Sequence, residues 1–174
     1  MRVAPAIKLL FLATGFALLS SCNSGKLLFP IEPQISFLEI SPKEIYEPKS
    51  IDDTVATLYV TIHYTDGDGD LGAAFEGDTI PNFFLIDQRP NLPLVIDSQV
   101  VYDGVLNYTM PSLSPEARKP SIQGEITIKL QGLVQRIDKN VDSEQVWFNV
   151  QIKDRAGNLS NVVQTDTIVV HKPL

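Results

Sequence analysis

Residues 55–65 read VATLYVTIHYT. In an extended chain successive side chains point to opposite faces, so Leu58, Val60, Ile62 and Tyr64 fall on one side and Tyr59, Thr61 and His63 on the other. A helix would need apolar residues every three or four positions. This run instead predicts a half-buried strand, and its β-branched and aromatic content agrees. Gln145–Lys153 (QVWFNVQIK) repeats the pattern, with Val146, Phe148, Val150 and Ile152 on one face and Trp147, Asn149, Gln151 and Lys153 on the other. Glu125–Leu130 places Ile126, Ile128 and Leu130 together.

Working outward, Gln34–Ile40, Phe83–Asp87, Leu94–Val101, Val105–Met110 and Asn161–Val170 are further strand candidates, and no window carries an apolar stripe at helical spacing. Seven to eight short antiparallel strands separated by Gly, Pro, Asp and Asn clusters predict an all-β domain, a sandwich or a barrel. Between Gln88 and Gly124 stand Pro90, Pro93, Pro111, Pro115 and Pro120. Proline cannot donate to a ladder, so strands there are expected at edges or interrupted.

The N-terminus has a different character. Residues 1–22 read MRVAPAIKLLFLATGFALLSSC: a basic start at Arg2 and Lys8, an apolar run Leu9–Leu19, then small polar residues. That is the layout of a secretory signal. Its apolar run is too short to span a bilayer core, which takes about 20 residues in a helix. Leu19-Ser20-Ser21-Cys22 resembles the lipobox cleaved by lipoprotein signal peptidase. The resemblance implies a signal peptide at 1–21, a Cys22 that becomes the acylated N-terminus, and attachment to a membrane. Asn23–Pro33, with Pro30 and Pro33, reads as a short tether over 22–33, leaving 34–172 as the domain.

With 174 residues and 44% hydrophobic content, one domain can bury a core of its own. The net charge is −7, and a leader carrying Arg2 and Lys8 but no acid would leave −9 behind. Nucleic-acid binding is disfavoured, because neutralising phosphates takes clustered Lys and Arg. Cys22 is the single cysteine, so no intrachain disulfide can form.

Asp154-Arg155-Ala156-Gly157-Asn158 between two strands resembles the last hairpin of bacterial immunoglobulin-like and cadherin-like domains. Gly157-Asn158 suits the positive φ that such a turn needs. Thr65–Gly72 (TDGDGDLG), Asn82–Ile86 (NFFLI), Lys119–Ile126 (KPSIQGEI) and Asp154–Asn161 (DRAGNLSN) together resemble uncharacterised lipoproteins of the Bacteroidetes. This resemblance implies an immunoglobulin-like β-sandwich and an address in the cell envelope, with no implied activity. The tether lacks the acidic cluster resembling a surface-export signal in that group, which favours the periplasmic side of the outer membrane.

Asp66, Asp68 and Asp70 alternate with glycines directly after the clearest strand. Three carboxylates in a pliable loop suit Ca²⁺, which takes six to eight oxygen ligands. The first half resembles an EF-hand loop, but Leu71 stands where the turn glycine belongs and Gly77 occupies the twelfth position. If Val55–Thr65 is strand B and Gln145–Lys153 strand F of an immunoglobulin-like sandwich, the loops after them share a pole, and Asp154 and Asn158 come near Asp66, Asp68 and Asp70. Two readings stand at this point: a Ca²⁺ site joining the loops, or a solvated turn in which Asp154 bonds its own hairpin.

No catalytic residues are assigned. Cys22 would be consumed by lipid, His63 sits mid-strand, and His171 lies near the end; there is no nucleophile elbow, no zinc-protease helix motif and no phosphate loop. No cofactor is required. The expected function is a non-enzymatic binding or scaffolding module whose partner is another envelope protein. A glycan-binding accessory role would need Trp147 exposed beside Tyr59 or Tyr64, and a hydrolase would need a cleft with two converging carboxylates. Asp53-Thr54-Val55, Asp78-Thr79-Ile80 and Asp166-Thr167-Ile168 resemble acceptor triplets for O-glycosylation in the same phylum.

Overall fold

The computed structural model describes residues 28–47, 57–90, 92–96, 98–113, 121–131, 136, 138 and 140–174, and every regular element among them is a strand. The expected leader, Cys22, Thr54 and the first part of the expected tether lie outside the described residues. In chain order the strands are β1 (Gln34–Ser41), β2 (Glu44–Tyr46), β3 (Thr57–Asp66), β4 (Phe83–Asp87), β5 (Leu94–Ile96), β6 (Gln99–Tyr102), β7 (Val105–Tyr108), β8 (Ile122–Gln131), β9 (Ser143–Val146), β10 (Phe148–Ile152), β11 (Val163–Gln164) and β12 (Ile168–His171). They form a sheet ordered β1-β3-β8, a sheet ordered β11-β10-β4-β7, a smaller one ordered β2-β12-β9 and a β5-β6 hairpin.

The alternation in β3 does what its pattern requires. Leu58, Val60, Ile62 and Tyr64 are buried, and they join Ile126, Ile128 and Leu130 of β8 and Phe83, Leu85, Phe148, Val150 and Ile152 of the second sheet in one core. Two antiparallel sheets therefore close on a single apolar layer, the arrangement of a β-sandwich.

Among the described residues there are twelve strands rather than seven or eight, because three expected strands are each divided, two of them at a corner, and a short one, β2, is added. Gln145–Lys153 breaks at Trp147: β9 pairs with β12, whereas β10 pairs with β4 and β11. Asn161–Val170 breaks at Thr165–Thr167 into β11 and β12. The two corners hold each other, since Thr165 donates its N–H to Phe148 O at 2.9 Å and Phe148 donates its own to Thr165 Oγ1 at 3.1 Å. Leu94–Val101 divides at a tight turn with Ser98 at φ 63°. A further departure is β2, which pairs with β12 in parallel.

The small sheet is braced by buried charge. Arg89 meets Asp87 at 2.7 Å and Glu144 at 2.8 Å, while Arg136 meets Glu47 at 3.0 Å. Each guanidinium is matched by carboxylate oxygens, which is the condition under which a charge is tolerated out of water.

Candidate metal centre

Asp66 is the last residue of β3, and Asp154 lies two residues beyond β10. The two strands belong to different sheets yet end at the same pole. There Asp66, Asp68, Asp70 and Asp154 each bring a carboxylate oxygen to within 4.8 Å of all the others. Like charges this close repel by about 1 kcal/mol per pair even in bulk water, and by more out of it.

The loop after β3 is held from several sides. Leu71 is fully buried in the core and pins the loop at the position where an EF-hand would have glycine. Asp66 Oδ2 accepts the N–H of Asp70 at 2.9 Å, folding the loop back on its own strand. Gly69 and Gly72, at φ 71° and 86°, take left-handed conformations open to glycine. Gly67 packs against the entering chain: a Cβ there would stand 2.3 Å from Phe29 O and 2.4 Å from Pro30 O. Ser121 completes this contact, donating to Gly67 O at 3.1 Å and accepting from Leu28 N at 3.2 Å.

The second loop is a closed turn. Asn158 donates its backbone N–H to Asp154 Oδ1 at 2.7 Å and its side-chain amide to Asp154 Oδ2 at 2.8 Å. Ala156 N–H donates to Asp70 Oδ2 at 3.0 Å, and Arg155 N–H to Asp70 O at 3.3 Å, so the two loops are joined. Asp154 and Arg155 also border a recess of about 210 Å³ shared with Ala74, Asp78, Ile80 and Asn82.

Burial is uneven across the four acids. Asp66 has no exposed surface and Asp154 only 3%, whereas Asp70 is half-buried and Asp68 exposed. Oxygens Asp66 Oδ1 and Asp70 Oδ1 are buried with no hydrogen-bond partner. Burial, followed by the neighbouring Asp68, pushes the Asp66 carboxyl up to about 7, against the N–H of Asp70 that holds it down. Asp70 is also raised, by burial first and then by Asp154 and Asp68. A hard cation would satisfy the orphaned oxygens and cancel the repulsion together. The all-oxygen, all-carboxylate donor set suits Ca²⁺, Mg²⁺ or Mn²⁺ rather than a thiophilic metal. The cluster is thus one that could hold a metal ion.

Both expected features of the loops are present at once. Asp66, Asp68, Asp70 and Asp154 converge, and Asp154 also bonds its own hairpin. Asn158 stands beside the cluster, its side-chain amide donating to Asp154 Oδ2. Leu28, Phe29 and Ser121, which back the loop, carry no sequence signal, because their contact with Gly67 is non-local and mostly through backbone. Trp147 is half-buried at the β9–β10 corner, Tyr64 is buried, and Tyr59 is exposed on the β1-β3-β8 sheet. No protein-family model matches the sequence, and no curated protein matches it.

Proposed function

We propose that this chain is a lipid-anchored, non-enzymatic binding or scaffolding module of the cell envelope, whose loop pole is organised by Ca²⁺. The observation that carries the reading is the convergence of Asp66, Asp68, Asp70 and Asp154 from two loops around buried oxygens without partners. Ca²⁺ is favoured over Mg²⁺ because the ligands come from loops of uneven rigidity, and Ca²⁺ accepts irregular shells where Mg²⁺ demands an octahedron. An immunoglobulin-like identity is supported by strand order: β1-β3-β8 against β11-β10-β4-β7 follows the A-B-E and G-F-C-C′ order of that sandwich. A non-enzymatic role is supported by the separation of the histidines, His63 in β3 and His171 in β12, on different sheets. The anchor rests on the lipobox-like Leu19–Cys22, with the periplasmic side of the outer membrane favoured and another envelope protein as the partner.

The test is titration calorimetry of the full-length protein in mild detergent, after chelation, with Ca²⁺ and Mg²⁺ in turn. Saturable heat with Ca²⁺, lost in Asp66→Asn and Asp154→Asn, is expected. No heat and no change in melting temperature at millimolar Ca²⁺ would overturn it.

A further inference from the structure

Cys22 stands only six residues before Leu28, and Leu28 is already fastened, through Ser121, to the aspartate loop. Phe29 and Pro30 lie directly on Gly67, between Asp66 and Asp68. The chain therefore enters the domain at the pole that gathers the four acids. Six extended residues reach about 20 Å at most. The ten residues of β3 run about 33 Å from this pole to the opposite one, where Ser143 of β9 pairs with His171 of β12. An acylated Cys22 could not let the distal pole face the bilayer, since the tether is shorter than the domain. The surface agrees: Leu28, Phe75 and Ile80 are 81%, 67% and 64% exposed, and Ile80 borders the same recess as Asp154.

Resting on the lipid-anchor reading above, we propose that the aspartate pole is the face this domain turns to the membrane, and that the cation held there is shared with phosphate oxygens of lipid headgroups. Asp66 is wholly buried and leaves Oδ1 unpartnered beneath the cluster, so the inner half of a coordination shell is built into the fold. Asp68 is exposed at the outer side. Four carboxylates fall short of the oxygens Ca²⁺ prefers unless some bind through both oxygens, and phosphate is a hard oxygen donor of the right charge. An acidic pole without the cation would be repelled by anionic lipid. With the cation it is bridged to the lipid, while Phe75 and Ile80 meet the interfacial layer.

The experiment uses the full-length acylated protein in vesicles of phosphatidylethanolamine and phosphatidylglycerol that contain a headgroup-nitroxide lipid. Acylation occupies Cys22, so Phe75→Cys and Ser143→Cys each supply one thiol for a bimane label. Quenching several-fold stronger at position 75 than at 143 is expected, increasing with millimolar Ca²⁺ and reversed by chelator. Asp68→Asn, a substitution at an exposed position, should keep the fold and remove the Ca²⁺-dependent increment. Equal quenching at both positions, or stronger at 143, overturns the orientation; quenching indifferent to Ca²⁺ overturns the bridging. A protein that carries no acyl mass on Cys22 and stays out of the vesicles overturns the anchor reading itself, an outcome distinct from the other two.

Discussion

Ala156 donates its backbone N–H to the carboxylate of Asp70 at 3.0 Å, across 86 residues of sequence. This bond makes the two acidic loops one structure. It also separates the two duties of Asp70, the observed one as acceptor for the hairpin and the proposed one as charge for a cation. Asp70→Asn keeps an acceptor oxygen for Ala156 and removes the charge, so its melting temperature in chelator should stay near the parent value while Ca²⁺ affinity drops at least about tenfold, or about 1.4 kcal/mol. Asp70→Ala loses both, and should add a fold destabilisation of about 1 kcal/mol. Calorimetry and urea melts of the pair separate the two effects.

The metal-free protein should lose stability as pH rises. Asp66 holds its proton to about 7 in the folded state against 3.8 ordinarily, so between those values the folded state binds a proton that the unfolded chain releases. Stability from this source is full below the ordinary value and disappears as pH climbs through about 7. In chelator the stability should therefore fall between about pH 4 and pH 7, by roughly 2–4 kcal/mol at most, and the melting temperature with it. Ca²⁺ should reverse the trend, since the cation takes the place of the proton. Asp66→Asn should flatten the profile, being more stable than the parent at high pH in chelator and less stable with Ca²⁺ present. Thermal melts across pH with and without Ca²⁺ check the crossing.

Gly67 should tolerate no side chain. A methyl at that position meets backbone oxygens of Phe29 and Pro30 at 2.3 and 2.4 Å, and backbone cannot step aside as a flexible side chain can. Gly67→Ala is expected to displace the 28–30 segment, cost about 1–3 kcal/mol by overpacking, and weaken Ca²⁺ binding through the loop. Gly77→Ala is the contrasting control. Nothing lies within 4 Å of a Cβ there, so only its positive φ of 88° opposes the change. Amide exchange at Leu28 and Phe29 should accelerate in the first variant alone.

Much of this was legible in the period-two runs. Every inward residue named for β3 and β10 lies in the core, and the loops after the two strands share a pole as expected, with Asp154 beside Asp66. The corner at Trp147 was not legible, because alternation runs through it unbroken: Val146 and Phe148 are both fully buried although they serve different sheets. Only the pairing partner changes there, and a local pattern does not encode a partner. The parallel β2 is illegible for a related reason, since three residues cannot express a period. At the site, the carboxylates were visible as letters. The parts that fix them, Leu71 as a core plug and Phe29 against Gly67, are long-range contacts.

The buried charges beside β9 should matter more to folding than to the acidic pole. The Arg89 side chain is 5% exposed, and it neutralises the fully buried side chain of Asp87 as well as the largely buried one of Glu144. Arg89→Ala removes the guanidinium from two buried carboxylates and should destabilise the domain by about 3–5 kcal/mol. Asp87 lies at the far end of β4 from Phe83, whose partner Ile152 leads into the Asp154 loop. Ca²⁺ affinity in the still-folded fraction should therefore stay within about twofold of the parent, as distant sites act almost independently.

Asn158 discriminates a ligand from a brace. Its backbone N–H and its side-chain amide both donate to Asp154, at 2.7 and 2.8 Å, and these bonds hold that carboxylate. Only the side-chain bond depends on residue type, and Asn158→Ala removes that one while sparing the backbone N–H. Asp154 would then keep its charge with one fewer restraint. Ca²⁺ affinity should fall about three- to tenfold, within the 1 ± 0.5 kcal/mol typical of one hydrogen bond. Asp154→Asn removes a charge from the cluster and should cost considerably more. Asn158→Asp separates the alternatives further, because it places a second carboxylate against Asp154. If residue 158 coordinates the ion, the extra charge tightens Ca²⁺ binding; if it braces Asp154, the two acids repel and binding weakens, which is the result the observed bonds lead us to expect.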